Sequence, residues 1–490
     1  MNNFIFVFLM LTFQIFNFLY RSTILQSQYY DLKRLFLFDL QNKTLSIIKI
    51  ILIISSFAVI RINIYFIFLA FLTFIHKNKN MKIILTKRMV RMLTVFIILF
   101  LININLIFYS DKNNGYFCYI LLIYNLMHYY VSFFVSTSIE KIIQRKYIKL
   151  AQNKLRKYKP IIVGITGSYG KTSCKIFTYK LLEKKYNVLC SPESYNTVMG
   201  LTKTINNYLK PYHQILILEV GVDKKNGMNK FFKYYNFDVG VVTCIGNQHL
   251  KTFKSPQNII NEKKKILEKA KCHAIFRKDD FIESQILNKS QTCFSSKINA
   301  DICVIKKENN NVAVKIYKDY FNTTSNLIGD HSFSNLACAI SIAKYFNIET
   351  IDICKTIPYI KNVDHRLSII KTGNWTIIDD AYNSNFEGFK NALKLLSESK
   401  EKKVLITPGV IEQNKKSLVD EINISKFINN NVDLVILIKK PKIKKYITNY
   451  LEFNSFNDAL NYLKKTYPND KLTILIENDL PNIYLRWHNE

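Results

Sequence analysis

The chain has 490 residues, with 69 Lys and Arg against 36 Asp and Glu, a formal charge of +33. That length holds two or three domains with ample cores. The charge does not by itself mark a nucleic-acid binder. Lysine is spread along the chain with Ile and Asn, and no aromatic-basic module of the RRM, KH or zinc-finger kind is present; a basic surface near anionic lipid, or one attracting phosphorylated substrates, accounts for it equally well. Nine cysteines stand singly with no CxxC, which argues for a reducing compartment and against a disulfide framework or a zinc site.

Residues 1–137 differ in composition from the rest. Apolar runs stand at about 3–20, 46–60, 62–75, 93–109 and 116–136. Two are short for a span of about 20 residues, and Arg61 separates them. Lys and Arg gather at Arg21, Lys33, Arg34 and Lys43, then from Lys77 to Arg91, then at Lys141, Arg145, Lys146 and Lys149. Placing all three groups inside gives five transmembrane helices with the N-terminus outside and the remainder cytoplasmic. No carboxylate or His other than His128 stands deep in a run, so the segment reads as a membrane anchor in contact with lipid and not as a transport pathway. Core helices of a soluble domain are the alternative. Residues 138–159 follow as a basic linker.

Next comes Val163-Gly-Ile-Thr-Gly-Ser-Tyr-Gly-Lys-Thr-Ser173, between the apolar Ile161-Ile162 and an amphipathic stretch from Cys174. Strand, glycine loop with lysine, then helix is the layout of a nucleoside-triphosphate phosphate loop. Gly167 and Gly170 let backbone N–H groups approach phosphate, Lys171 supplies a charge to it, and Thr172 a hydroxyl for Mg²⁺. A strict Walker A motif has Gly where Ile165 stands.

Apolar runs at Ile161–Thr166, Ile215–Val220, Val239–Ile245, Trp375–Asp379, Val404–Thr407, Val435–Ile438 and Leu472–Ile476 alternate with helical periodicity. They predict a doubly wound α/β fold in two units, 160–365 and 366–490, with a β-insertion turning at Asn309-Asn-Asn. Polar clusters close several of these runs, where such folds bind ligands. Glu219 could reach Mg²⁺, and His249 could be a second metal ligand. Taken singly, a strand-end acid, a structural His, a charged helix face at Lys263, a cap at Gly329–Asn335 and a turn at Asp379–Asn383 are the plain alternatives.

In order, these segments resemble the Mur ligase family over about 155–490, closest to its MurF branch. Thr166-Gly-Ser-Tyr-Gly-Lys-Thr172 matches the family's phosphate loop, which resolves the Walker A discrepancy. Ser191-Pro-Glu-Ser-Tyr-Asn-Thr-Val-Met-Gly200 looks like its Asn-Thr-x-x-Gly segment. Thr243–Leu250, Phe253-Lys-Ser and Lys263 resemble the stretch ending in a carbamylated lysine. Gly329-x-His331-x-x-x-Asn335 is similar to the adenine-side motif, and Arg366 to the arginine before the linker. Asp379-Asp-Ala-Tyr-Asn-Ser-Asn385, Thr407-Pro-Gly-Val-Ile-Glu412 and Glu477-Asn-Asp-Leu-Pro481 resemble the MurF branch, in a membrane-anchored form like those of epsilon-class proteobacteria.

The resemblance implies a bacterial inner-membrane enzyme of peptidoglycan synthesis. It would join D-Ala-D-Ala to UDP-MurNAc-tripeptide through an acyl phosphate, with ATP and two Mg²⁺. Lys171 and Arg366 would hold the transferring phosphoryl group, within a loop of Thr166, Gly167, Ser168, Gly170, Lys171, Thr172 and Ser173. Thr172 and Glu219 would bind one Mg²⁺, His249 and carbamylated Lys263 the other; Asn335 would face adenine and Asp380 the ribose. The chain departs from the family at Asn385-Phe386, where relatives have Asn-Pro, and in lacking the soluble domain that grips the UDP-sugar. Other readings are a Mur-like ligase adding another amino acid or building a polyglutamate-like polymer, and a non-catalytic ATP-binding scaffold.

Overall fold

The computed structural model describes residues 18, 21, 22, 25 and 86–478, apart from 114, 193, 247, 281–289, 297–299, 309, 383–385, 410–416 and 440. It comprises two compact units, Met1–Lys146 and Tyr147–Glu490.

In the first unit lies helix α1 (Lys87–Asn113), followed by the start of α2 (Gly115–Tyr158). Phe96 and Tyr129 are buried with Phe18, Leu25, Met89, Met92 and Phe133. His128 is not solvated: its Nε2 lies 3.0 Å from the Phe96 carbonyl oxygen, and its ring meets the Phe96 ring edge-on. Ile98, Leu101, Ile102 and Phe134 are exposed. Among the described residues no helix is long and apolar enough to cross a membrane. Runs 93–109 and 116–136 fall in α1 and α2; Asn103 and Asn105 interrupt the first, and Ser132, Ser136 and Glu140 follow closely in the second. The other expected spans, save Phe18, lie outside the described residues. The structure therefore does not support the five-span anchor.

The second unit begins with the last turns of α2. Residues 138–159, expected as a linker, are helical to Tyr158; the helix stops there, with Lys159 at φ 48° ahead of Pro160, a position where a continued right-handed helix is disfavoured. Lys154 Nζ donates to the Asn206 carbonyl (2.6 Å) and Gln152 to that of Tyr234 (3.0 Å), docking these turns on the fold that follows.

That fold has two sheets. The first is built from β1 (Ile161–Thr166), α3 (Lys171–Leu182), β2 (Val188–Cys190), α4 (Val198–Tyr208), β3 (Ile215–Glu219), α5 (Gly227–Phe232), β4 (Val239–Val242), α6 (Leu250–Phe253), α7 (Pro256–Glu268), β5 (His273–Arg277), β6 (Gln291–Ser295), β7 (Ile302–Lys306), β8 (Asn311–Ile316), β9 (Asp319–Thr324), α8 (Asp330–Tyr345) and α9 (Thr350–Thr356). Strand order is β2-β3-β1-β4-β5-β6-β7-β8-β9, parallel as far as β7 and antiparallel beyond it. The expected insertion is the β7–β8 hairpin, extended by β9. Strand period decides which side each residue packs on. Val163 and Ile165 of β1 join Phe177 and Leu181 of α3 and Leu336 and Ile340 of α8; Ile162 joins Leu201 of α4 and Ile266 of α7. Helices thus cover both faces, and burying a side chain such as Phe177 contributes about 2–3 kcal/mol.

The second sheet contains β10 (Ser368–Thr372), β11 (Trp375–Asp380), α10 (Phe386–Ser397), β12 (Lys402–Thr407), α11 (Ser417–Asn431), β13 (Leu434–Ile438), β14 (Leu451–Phe453), α12 (Phe456–Thr466) and β15 (Leu472–Glu477). Its order is β10-β11-β15-β12-β13-β14, with only β10 antiparallel. α10 and α11 pack on one face and α12 on the other. The architecture is the expected doubly wound α/β in two lobes.

Candidate active site

β1 is an inner strand, hydrogen-bonded to β3 and β4, so its carboxyl end opens between theirs. Residues 167–170 turn there into α3. Gly170 takes φ 79°, and a Cβ on it would collide with the Asn335 side-chain amide. Only glycine suits both the left-handed turn and that close approach. Loop Thr243–Gly246 braces the turn from below: Ser168 N donates to the Cys244 carbonyl (2.8 Å), and Ser168 Oγ pairs with Gly246 (3.0 Å). Thr166 Oγ1 donates to the Val220 carbonyl (2.8 Å), and Ser173 is buried in the first turn of α3.

Four basic side chains gather at the start of α3, Lys171 and Lys263 on the glycine turn, Arg366 and Lys175 beside Thr172 and Glu219. Lys171 Nζ donates to the carbonyls of Gly167 (2.9 Å) and Ser168 (3.2 Å), and Lys263 Nζ, from α7, to that of Gly167 (2.8 Å). Thr172 Oγ1 donates to Glu219 Oε2 (2.8 Å) and accepts from Arg366 Nη2 of the second lobe (3.2 Å). Asn196 Nδ2 donates to Glu219 Oε1 (3.1 Å), and Lys175 Nζ lies 3.6 Å from Oε2.

The charges perturb one another. Burial works to raise the Glu219 pKa, but Lys171 and Lys175, with the bonds from Asn196 and Thr172, outweigh it and hold the carboxyl below its ordinary value. Burial lowers Lys171 despite Glu219. Lys263 falls well below the ordinary lysine range, first through burial and then through the charge of Lys171. Its amine is thereby disposed to lose its proton.

This donor set suits a polyphosphate. The helix N-terminus, glycine turn and excess of cations complement several negative charges, and the Thr172–Glu219 pair offers hard oxygen donors for a divalent cation.

A model of the Mur ligase middle domain matches residues 165–343. The UDP-N-acetylmuramoyl-tripeptide–D-alanyl-D-alanine ligase of Buchnera aphidicola (subspecies Baizongia pistaciae) is 28% identical over 339 residues, covering 64% of this chain and 72% of that protein. The ligase of the same name from Bacillus subtilis is 27% identical over 274 residues, covering 54% and 59%. Residues 165–343 thus carry the likeness to a Mur ligase middle domain. Solved MurF structures share this chain's fold. That from Acinetobacter baumannii superposes with TM-score 0.62 at 18% identity over 71% of this chain and 80% of its own. MurF from Thermotoga maritima in complex with ADP gives 0.60 at 20% identity, over 71% and 82%.

Of the residues expected at the site, the structure brings together Lys171, Thr172, Glu219, Lys263 and Arg366. Asn335 stands on α8 against Gly170, beside the phosphate turn. His249 lies at φ 57° and starts α6, its carbonyl accepting from Thr252 and Phe253. Among the described residues no group of three His, Cys, Asp or Glu could hold a metal. Asp380 is fully buried, with Oδ1 accepting from Leu367 N (2.9 Å), so it fixes the segment that carries Arg366. Asn383–Asn385, Val410–Glu412 and the tail after Asn478 lie outside the described residues.

Sequence reasoning missed three contributors. Lys175 follows Thr172 by three residues and so shares its helix face; that spacing was the available signal. Asn196 sat in a recognised motif without an assigned partner. Tyr382 hydrogen-bonds Ser194 across the lobes (3.0 Å) and lies under the Arg366 guanidinium; nothing local in the sequence announces that contact.

Proposed function

We propose that this chain joins D-Ala-D-Ala to UDP-MurNAc-tripeptide using ATP, in peptidoglycan-precursor synthesis. The observation that carries the chemistry is the gathering of Lys171, Lys175, Lys263 and Arg366 at the start of α3, where Glu219 bonds Thr172. The relatives' names supply the substrates. The peptide's terminal carboxylate would take the γ-phosphoryl group to form an acyl phosphate, releasing ADP. The dipeptide amine would attack that carbonyl carbon, and the C–O bond to phosphate would break as the amide forms and the amine's proton leaves. No Ser or Cys nucleophile is required, so the protein's task is positioning and charge neutralisation.

Backbone N–H groups from 167 to 172 and Lys171 would hold the nucleotide's phosphates. Thr172 and Glu219 would hold Mg²⁺, which neutralises phosphate charge when bound. Arg366 reaches the same hydroxyl from the second lobe, so lobe closure would deliver its charge to the transferring group. We further propose that Lys263 is carbamylated: its depressed pKa favours the neutral amine, which attacks CO₂ and releases a proton. The product would be an anion among cations, able with His249 to hold a second Mg²⁺. ¹³C-bicarbonate labelling read by NMR checks this, and absence of a carbamate signal that K263Q removes would count against it. Asn335 on the adenine side and Asp380 towards the ribose complete the proposed site.

The membrane anchor is likewise a proposal, with both lobes on the cytoplasmic face of the bacterial inner membrane. It is supported by the apolar runs before residue 137 and the placement of Lys and Arg around them. Carbonate-resistant sedimentation with membranes is expected; release into the soluble fraction would sink it.

For the ligase, the test is product formation by the purified full chain with ATP, Mg²⁺ and both substrates, followed by mass spectrometry. The pentapeptide product should appear only when both acceptor and dipeptide are supplied. Turnover with a different amino acid and none with the dipeptide would refute the assignment.

A further inference from the structure

Lys175 is a cation in the core of the central lobe, with no solvent exposure. It sits one turn into α3, behind Thr172, and does not face the glycine turn as Lys171 does. Its ammonium joins two things. On one side it donates to the Ser191 carbonyl (2.7 Å) and reaches Ser191 Oγ (3.5 Å); on the other it lies 3.6 Å from Glu219 Oε2. Ser191 opens the segment to Gly200, which returns to the same carboxylate through Asn196 Nδ2 on Oε1. That segment is tied to the end of β3 by Ser191 N to the Ile217 carbonyl (3.0 Å) and Gly221 N to the Asn196 carbonyl (2.7 Å). It also carries Ser194, which Tyr382 reaches from the second lobe.

We propose that Lys175 is a positioning residue for the metal–nucleotide site, holding the Glu219 carboxylate and the Ser191–Gly200 segment in one fixed arrangement. The inference rests on the reading of Thr172 and Glu219 as the Mg²⁺ pair, and extends it to a side chain that touches neither nucleotide nor substrate. Lys171 is committed to the phosphate turn. Lys175 is enclosed and is the counter-ion that stays with Glu219 throughout turnover. Mg²⁺ requires near-ideal octahedral geometry whereas larger cations tolerate deviation, so a carboxylate freed from its strut should serve Mg²⁺ worst.

The test uses K175M, K175R, E219Q and K175M/E219Q in the full chain. In the metal-free protein, thermal melting should show a smaller loss from K175M in the E219Q background than alone, because the two residues act as a unit. Should K175M alone not fold, recovery of folding in the double variant supports the proposal, and failure of both overturns it. In turnover, K175M should raise the ratio of the Mn²⁺-supported to the Mg²⁺-supported rate by about tenfold or more, and K175R should restore much of the Mg²⁺ rate. A general structural defect would lower both metals' rates alike. Additive melting losses with an unchanged metal ratio overturn the proposal. Wild type that gains no melting stability from Mg·ADP would instead refute the metal–nucleotide reading beneath it, so the two failures are separable.

Discussion

Glu219→Gln is the substitution whose effect is best fixed by the structure. Glutamine keeps the shape and can still bond Thr172 and Asn196, so what changes is the charge. Lys175, 3.6 Å away and fully buried, loses its counter-ion, and Lys171 loses an attractive neighbour. With an effective dielectric of about 20, the attraction over that distance is about 4–5 kcal/mol. Relaxation and proton loss by the lysines reduce the net cost, and breaking a buried pair costs about 3–5 kcal/mol. A loss of about 3 kcal/mol lowers the melting temperature by about 6–12 °C in a lobe of about 200 residues. The pH dependence has a definite sign. Glu219 is held below its ordinary pKa, so its contribution is present above the unfolded value of about 4.3 and is lost as pH falls through the lower folded value. Lys175 is itself depressed by burial, and without Glu219 it would shed its proton more readily, so the mutant recovers stability as pH rises towards about 10. The gap between wild type and E219Q should be widest near neutrality and narrow at both ends, read by differential scanning fluorimetry of the full chain. Equal melting at pH 7, or a gap that is constant from acid to alkali, would refute the charge argument.

Three further outcomes are expected. Gly170→Ala places a Cβ against the Asn335 amide at φ 79°; it should cost about 1–2 kcal/mol of stability and abolish ADP binding by calorimetry, and normal binding would show that the turn does not cradle phosphate. Tyr382→Phe removes the hydroxyl that reaches Ser194 but leaves the ring under Arg366. It should lower kcat about two- to tenfold, the size of one hydrogen bond, with little change in ATP KM; the reverse pattern would place Tyr382 in nucleotide binding. Arg366→Lys keeps the charge but not the planar fork, and should reduce kcat more than tenfold while ADP still binds.

How far the sequence led depends on whether a signal was local. The phosphate turn was legible because Gly167, Gly170, Lys171 and Thr172 are adjacent and each has a separate physical reason to be there. The apolar runs read as strands are strands, because burial on both faces demands continuous Val, Ile and Leu. The short strands β2 and β14 were not anticipated, since three residues carry no periodicity. Lys175 escaped because a lysine on a helix reads as a solvated face; only β3 and the Ser191 segment, distant in sequence, enclose it. Asp380 illustrates the converse. Its motif marked it locally as a site residue, while its register partner is distant in sequence: the parallel pairing of β11 with β15 sets it opposite Glu477, whose own carboxyl is pushed well up by burial and by the two neighbouring aspartates. The apolar runs near the N-terminus gave a clear compositional signal, yet among the described residues no helix meets the requirement for a span.

The central claim is that an acyl phosphate forms at this site, and isotope transfer tests it most directly. The tripeptide substrate would carry ¹⁸O in its terminal carboxylate, and phosphate released during ligation would be weighed by mass spectrometry. One ¹⁸O atom in each phosphate, appearing only with D-Ala-D-Ala and lost in Lys171→Ala, is the result predicted. Phosphate free of label, released at the same rate without the dipeptide, would mean that water is the acceptor and that the chain is not acting as a ligase.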